Sequence, residues 1–310
     1  MKVYYSIQDF NPKDHYVVTQ GTFDGVHLGH QKILKKIVEK AKNLQLESIL
    51  LTFHPHPRSI IFNGEQNIKM LNTIEEKIKL IEQMGIDHLI ISPFTKEFSR
   101  TSAFNFIKDI LVEKLKVKHF VIGYDHRFGK NREGSIDDLK KHSEIFNFTL
   151  HEIEAKEVYE SIISSTKIRI ALEEGKVNLT KKFLGKAYSI SGKVIKGKGR
   201  GKLLNFPTAN IEIIQSEKLI PKHGVYAVIV NRKNTRYKAM MNIGFNPTFD
   251  QKEKSLEVHL FNFNENIYGE TIRIYFHEYL RNEQKFETKE DLSRQLKLDK
   301  KNAEKGLQNA

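Results

Sequence analysis

The chain has no cysteine. Disulfides and thiolate metal sites are thereby excluded, and cysteine usage says nothing of the redox compartment. No apolar run approaches the roughly 18 residues of a membrane-spanning helix. Residues 1–9 lack the apolar stretch of a signal peptide. A cytoplasmic protein without membrane association is therefore expected. Two further absences narrow the function. No Gly-Lys-Ser/Thr ending completes a Walker A loop, and no DNA- or RNA-binding motif of the usual kinds occurs.

What is present suggests two domains, since 310 residues exceed one average domain. The hydrophobic fraction of 39% supports packed cores. The formal charge is +13, with an isoelectric point near 9.5. Such a balance fits either a lysine-rich solvated surface or a polyanionic partner. The basic residues are spread along the chain, which favours a solvated surface with nucleotide substrates and no nucleic-acid partner. Oligomerisation is left open.

Residues 1–178 alternate short apolar strands (16–19, 48–52, 88–92, 119–123) with amphipathic helices near 31–44, 73–85 and 102–116. Thr73 and Glu76 read as a capping box. This order predicts a parallel sheet with helices on both faces, binding ligands at the carboxyl ends of its strands. Beyond residue 184 the pattern becomes short alternating strands at 189–196, 225–231, 237–242, 255–261 and 271–276, separated by Gly, Asn and Pro turns. They predict an antiparallel barrel. A last helix starts at Thr288 and Asp291, with Leu292, Leu296 and Leu298 as its apolar stripe. The boundary is expected between Gly175 and Leu184.

The most informative stretch is Gly21-Thr22-Phe23-Asp24-Gly25-Val26-His27-Leu28-Gly29-His30. It lies where a strand hands over to a helix, a natural phosphate site. Two imidazoles three apart add donors where charge develops in a transition state. Ser164-Ser165-Thr166 opens a short helix, as caps or as phosphate ligands, and Lys167 and Arg169 tilt the reading toward phosphate. The loop 123–135 carries Arg127 and Phe128, which can stack on a planar ring or form an ordinary turn. His54-Pro55-His56-Pro57 reads as a rigid loop beside the nucleotide site rather than a metal site. In the second half, residues 192–210 form a glycine- and lysine-rich loop that can wrap a triphosphate or remain a charged turn. Thr208 and Asn210 offer hard oxygen donors suited to Mg²⁺. Glu257 is either a solvent-facing strand residue or a proton acceptor at a barrel mouth.

Together these segments resemble the bacterial bifunctional riboflavin kinase/FAD synthetase family. The first half matches Gly-x-Phe-Asp-Gly-Val-His-x-Gly-His, Thr-Phe-x-Pro-His-Pro, the Gly-x-Asp loop and Ser-Ser-Thr-x-Ile-Arg. The second matches the Gly-rich loop, Phe206-Pro207-Thr208-Ala209-Asn210, His223-Gly224-Val225-Tyr226, residues 242–249 and Leu256-Glu257-Val258-His259. Four positions depart from the family pattern. His54 stands where an acidic residue is common, His126 where Phe is common, Lys202 for Arg and Asn205 for Gly. The resemblance implies a Rossmann-like nucleotidyltransferase domain (1–178), then a six-stranded antiparallel riboflavin kinase barrel with a C-terminal helix (184–310). It implies phosphorylation of riboflavin to FMN and adenylylation of FMN to FAD, with ATP and Mg²⁺. For the adenylyltransferase it points to His27 and His30 as catalytic, to Gly21, Phe23, Asp24, Gly29, Ser164, Ser165, Thr166 and Arg169 for ATP, and to Asp125 and Phe128 for flavin. For the kinase it points to Glu257 as the base, to Gly197, Gly201, Lys202 and Thr208 for ATP, and to Thr208 and Asn210 for the metal. The competing readings are a nucleotidyltransferase with another acceptor and a nucleic-acid binder.

Overall fold

The computed structural model describes residues 1–62, 68–123, 126–153, 163–197, 201, 204–248 and 251–308. Its contacts divide the chain into two units, Met1–Ser165 and Thr166–Ala310.

The first unit runs β1 (Lys2–Tyr4), β2 (Tyr16–Gln20), α1 (Leu28–Asn43), β3 (Glu47–His54), α2 (Pro57–Ile61), α3 (Ile74–Glu82), β4 (His88–Pro93), α4 (Ala103–Asn105) continuing into a π-helix (Phe106–Lys114), β5 (Val117–Gly123), α5 (Ile136–Ile145) and β6 (Thr149–Ile153). All six strands are parallel, in the order β1-β4-β3-β2-β5-β6. Successive strand residues face opposite sides of a sheet. Val18, Ile49, Leu51 and Phe120 accordingly enter one core, with Phe106 and Leu111 of the π-helical segment. Val17, Leu50, Leu89 and Val121 enter the other, with Leu34 and Ile37 of α1 and Ile81 of α3. Burial on both faces explains the near-continuous apolar runs of the inner strands. The expected capping box is present: Thr73 Oγ1 accepts from the Glu76 N–H, and the Glu76 carboxylate accepts from the Thr73 N–H.

The sheet order also locates a site. From β2 the chain proceeds outward one way through β3 and β4, then returns to the other side of β2 for β5 and β6. β2 and β5 therefore flank the topological switch point, where ligands bind beyond the strands' carboxyl ends. The loop after β2 begins at Gly21, and β5 itself ends at Gly123.

The second unit takes in α6 (Ser165–Glu173) from Thr166 onward. It continues with α7 (Val177–Leu184), β7 (Ser189–Ile195), β8 (Ala209–Glu212), β9 (Gly224–Arg232), β10 (Thr235–Thr248), β11 (Gln251–Leu260), β12 (Thr271–Arg281) and α8 (Lys289–Gly306). The six strands close into an antiparallel barrel, β10-β11-β8-β7-β12-β9. Leu256, Val258 and Leu260, and likewise Ile272, Ile274 and Phe276, are buried, as their alternation predicts. An apolar patch of Ala227, Ile229, Met240 and Phe261 packs with Phe206 and with Ala303 and Leu307 at the C-terminal end of the chain.

Thr288 caps α8, accepting from the Asp291 N–H. The predicted stripe on that helix needs correction. Leu296 packs on the barrel patch, whereas Leu298 is exposed. Residues two apart on a helix point to different faces, so Leu296 and Leu298 never belonged to one stripe. The helix is also tied by an ion pair: Arg281 Nη2 donates to Asp299 Oδ2 at 2.7 Å, and its Nε to Oδ1 at 2.9 Å, with Asp299 fully buried.

Candidate active sites

In the first unit the loop after β2 carries a run of left-handed backbone: Phe23 at φ 45°, Gly25 at 85° and Val26 at 42°. For a β-branched residue this is an outlier, at a cost of order 1–3 kcal/mol per residue. Several bonds over-determine the loop. Gln31 Nε2 donates to the Val26 carbonyl at 2.9 Å. The buried Asp24 carboxylate accepts from the backbone N–H groups of Leu71 (3.1 Å) and Asn72 (3.3 Å). A Cβ on Gly21 would press to 2.9 Å from the Phe23 ring.

The loop ends on His27, the N-cap of α1, whose Nδ1 accepts from the His30 N–H at 3.3 Å. A ring nitrogen that accepts carries no proton, so neutral His27 bears its proton on Nε2. The two imidazoles stack at 3.6 Å between centroids, with 20° between planes, and Phe23 tilts against His30 at 4.9 Å. Burial pushes His27 down to about 4, partly opposed by Asp24. Burial, then His27 and the Lys77 ammonium, hold His30 well below 6.5. Both rings are thus neutral N–H donors at pH 7 at the positive end of a 16-residue helix. The buried His30 Nδ1 meets no hydrogen-bond partner among the described residues.

Ser165 joins this site directly, its Oγ donating to the Asp24 carbonyl at 2.9 Å. Ser164 immediately precedes α6, and Thr166 and Arg169 lie on its first two turns. Gly29 is buried in the first turn of α1.

Of the flavin-side residues, Asp125 lies outside the described residues. The Phe128 ring is only 5% exposed. It packs in the core against Phe106 at 5.5 Å and closely on Gly134. His126 lies parallel to Phe128 at 5.8 Å and edge-on to Phe120 at 5.9 Å, with burial lowering it to about 4. It therefore behaves as a neutral aromatic, which is what the family's Phe would be.

His56 caps α2 by accepting from the Arg58 N–H at 3.2 Å. An open apolar cleft of about 630 Å³ lies beyond the carboxyl ends of β3 and β4, lined by residues that include Pro55, Ile60, Phe94 and Lys96. Among the described residues no three His, Cys, Asp or Glu side chains group as a metal site.

In the second unit β8 brings the barrel residues together. Asn210 pairs directly with Glu257 across β8 and β11, and Thr208 Oγ1 donates to Glu257 Oε2 at 3.2 Å. Gly197 is pressed so closely against Asn210 that a Cβ there would collide with the side-chain amide. A Cβ on Gly201 would likewise collide with the Phe206 carbonyl. His259 anchors this segment: its Nδ1–H donates to the Pro207 carbonyl at 2.8 Å, and Phe206 meets its ring edge-on at 5.1 Å. Asn205 sits at φ 61°. That left-handed conformation accounts for the family's glycine, and asparagine is among the few other residues that tolerate it. Lys202 lies outside the described residues.

Sequence reasoning named His259 within a motif but gave it no role, and it passed over Lys77, whose buried ammonium donates to the Thr22 carbonyl at 2.9 Å. Both had a signal. Lys77 interrupts the apolar stripe Ile74, Ile78, Ile81 of α3, and His259 sits two residues from Glu257 on one strand.

Known proteins resemble the chain over both units. The family model for FAD synthetase matches residues 10–167, and that for riboflavin kinase matches residues 184–307. The bifunctional riboflavin kinase/FMN adenylyltransferase of Buchnera aphidicola (subspecies Schizaphis graminum) is 42% identical over 91% of each chain. That of Listeria monocytogenes is 38% identical over 91% of this chain and 90% of its own. That of Bacillus subtilis is 36% identical over 93% and 91%. A crystal structure described as a macrolide-efflux protein from Streptococcus pneumoniae is 29% identical and superposes with a TM-score of 0.87 over 97% of both chains. Among the described residues of the present chain, no helix is long and apolar enough to cross a membrane. With two family models in tandem and relatives matched over nearly their whole length, the chain belongs to the bifunctional riboflavin kinase/FMN adenylyltransferase family.

Proposed function

We propose that this protein converts riboflavin to FMN and FMN to FAD, at two sites in two cytoplasmic domains, 184–310 and 1–178. The observation that carries the reading is that each unit assembles its own motif set: the stacked His27 and His30 at the head of α1, and Thr208, Asn210 and Glu257 on paired barrel strands.

In the kinase, the terminal ribityl hydroxyl of riboflavin attacks the γ-phosphorus of ATP, Glu257 accepts the hydroxyl proton, and ADP leaves. Gly197 and Gly201 bring backbone close to the triphosphate, aided by Lys202 and Thr208. The Thr208 hydroxyl and Asn210 amide oxygen, beside a carboxylate, form a hard donor set that fits Mg²⁺. When bound there, the metal would neutralise phosphate charge.

In the adenylyltransferase, a phosphate oxygen of FMN attacks the α-phosphorus of ATP, and the bond to the bridging oxygen breaks to release pyrophosphate. The protein contributes positioning and stabilisation of charge rather than a covalent intermediate. Neutral His27 and His30 donate N–H to phosphoryl oxygens. Gly21, Phe23, Asp24 and Gly29 shape the loop that receives ATP. Ser164, Ser165, Thr166 and Arg169 add hydroxyls and a cation. Asp125 and Phe128 set the flavin side, Phe128 by holding its loop on the core. The apolar cleft beside Pro55 and Phe94 suits a planar ring.

Incubation with riboflavin, ATP and Mg²⁺, followed by chromatographic separation of flavins, tests the reading. FMN and then FAD are expected. Conversion of neither riboflavin nor supplied FMN would overturn it.

A further inference from the structure

The Thr22 carbonyl receives two buried side-chain donors. Lys77 Nζ, from α3, lies 2.9 Å away and Thr52 Oγ1, from β3, lies 3.2 Å away. Lys77 is 6% exposed and Thr52 fully buried. In a trans peptide the C=O and the next residue's N–H point in opposite directions. With the Thr22 carbonyl drawn toward α3 and β3, the Phe23 N–H is turned away from them, and no backbone acceptor meets it among the described residues.

A buried ammonium is costly. The neighbouring positions of its helix face, Ile74, Ile78 and Ile81, are apolar, so packing alone would be served by another aliphatic residue. Its charge is felt at the site, since it helps keep His30 unprotonated.

On the reading of the first unit as an adenylyltransferase, we propose that Lys77 is a positioning residue for adenylyl transfer. It locks the Thr22–Phe23 peptide so that the Phe23 N–H joins the first turn of α1 in receiving phosphoryl oxygens. It also sets a buried positive charge behind them. Donors fixed in advance act on charge that develops in the transition state, so the effect falls on kcat more than on KM.

The test uses the full chain, with FMN, ATP and Mg²⁺ as substrates. Lys77→Met should lower kcat for FAD formation about 100-fold, with a smaller change in the KM for ATP. Lys77→Arg should recover at least tenfold of that loss. Amide exchange in β2 and β3 reports whether the first unit stays folded. A protected Lys77→Met that keeps kcat within tenfold of the parent, or a Lys77→Arg no better than Met, overturns the proposal. If Lys77→Met loses protection, Lys77→Gln is held to the same tenfold limit, and loss of protection in both variants overturns it in favour of a purely structural lysine. Failure of the unsubstituted chain to form FAD would instead sink the adenylyltransferase reading, and Lys77 with it.

Discussion

Asn210 and Glu257 face each other across an antiparallel strand pair, and Thr208 reaches over to hydrogen-bond the same carboxylate. Register thus places the proposed base beside Asn210, and the residue before β8, Thr208, completes the proposed donor set. Glu257→Gln keeps the shape and the Thr208 contact but cannot take a proton. FMN formation from riboflavin should fall by about 10²- to 10⁴-fold. FAD formation from supplied FMN should stay at the parent rate, and chromatography of the two reactions would check both halves of the statement.

His30→Ala should have the opposite pattern. It removes one stacked imidazole and a donor at the head of α1, so FAD formation should drop by about 10²- to 10³-fold while riboflavin is still phosphorylated. A folded variant that loses both activities would contradict the division of labour.

Gly197→Ala adds a single methyl group where the Asn210 amide already sits. Asn210 must then leave its place opposite Glu257 or push the strand end aside. A tenfold or larger loss of riboflavin phosphorylation is expected, with FAD formation from FMN unchanged. Initial rates of the two half-reactions on one preparation give the comparison.

The depressed histidines set a pH signature. His27 titrates near 4 in the folded protein, and His30 well below 6.5. Unfolded histidines bind protons from about 6.5 downward. Between the two values the unfolded chain holds more protons, so stability should fall as pH drops from 6.5 toward 4. The slope is at most about 1.4 kcal/mol per pH unit for each site. Above 6.5 the contribution is fully present. Protonation of these two rings should therefore leave FAD formation unaffected across pH 6.5–8. If the rings were ordinary, urea titrations over pH 4–8 would show no such fall from these two groups, and the rate profile would instead have a midpoint near 6.5.

The architecture was legible where periodicity was strong. The inner strands β2, β3, β4 and β5 are apolar because both faces of a parallel sheet are covered, and the run of Gly and His after β2 marks the switch point. The edge strands β1 and β6 were not, being short and of mixed polarity. Nor was β8, four residues whose polar Asn210 and Glu212 hide a strand inside what reads as a loop. At the site, sequence supplied the chemistry-bearing residues but not their burial. Asp24 is engaged by distant backbone N–H groups of Leu71 and Asn72, a pairing no local pattern announces. Phe128 looks like an exposed stacking ring yet fills the core beside Gly134.

Closure of the barrel has a further consequence. A ring in which each of six strands has two neighbours contains no edge strand among the described residues. The open sheet of the first unit has two, the rims Lys2–Tyr4 and Thr149–Ile153. Self-association by strand addition, when the protein is concentrated or partly destabilised, should therefore begin at those rims. A proline or an additional charge there is the economical way to suppress it.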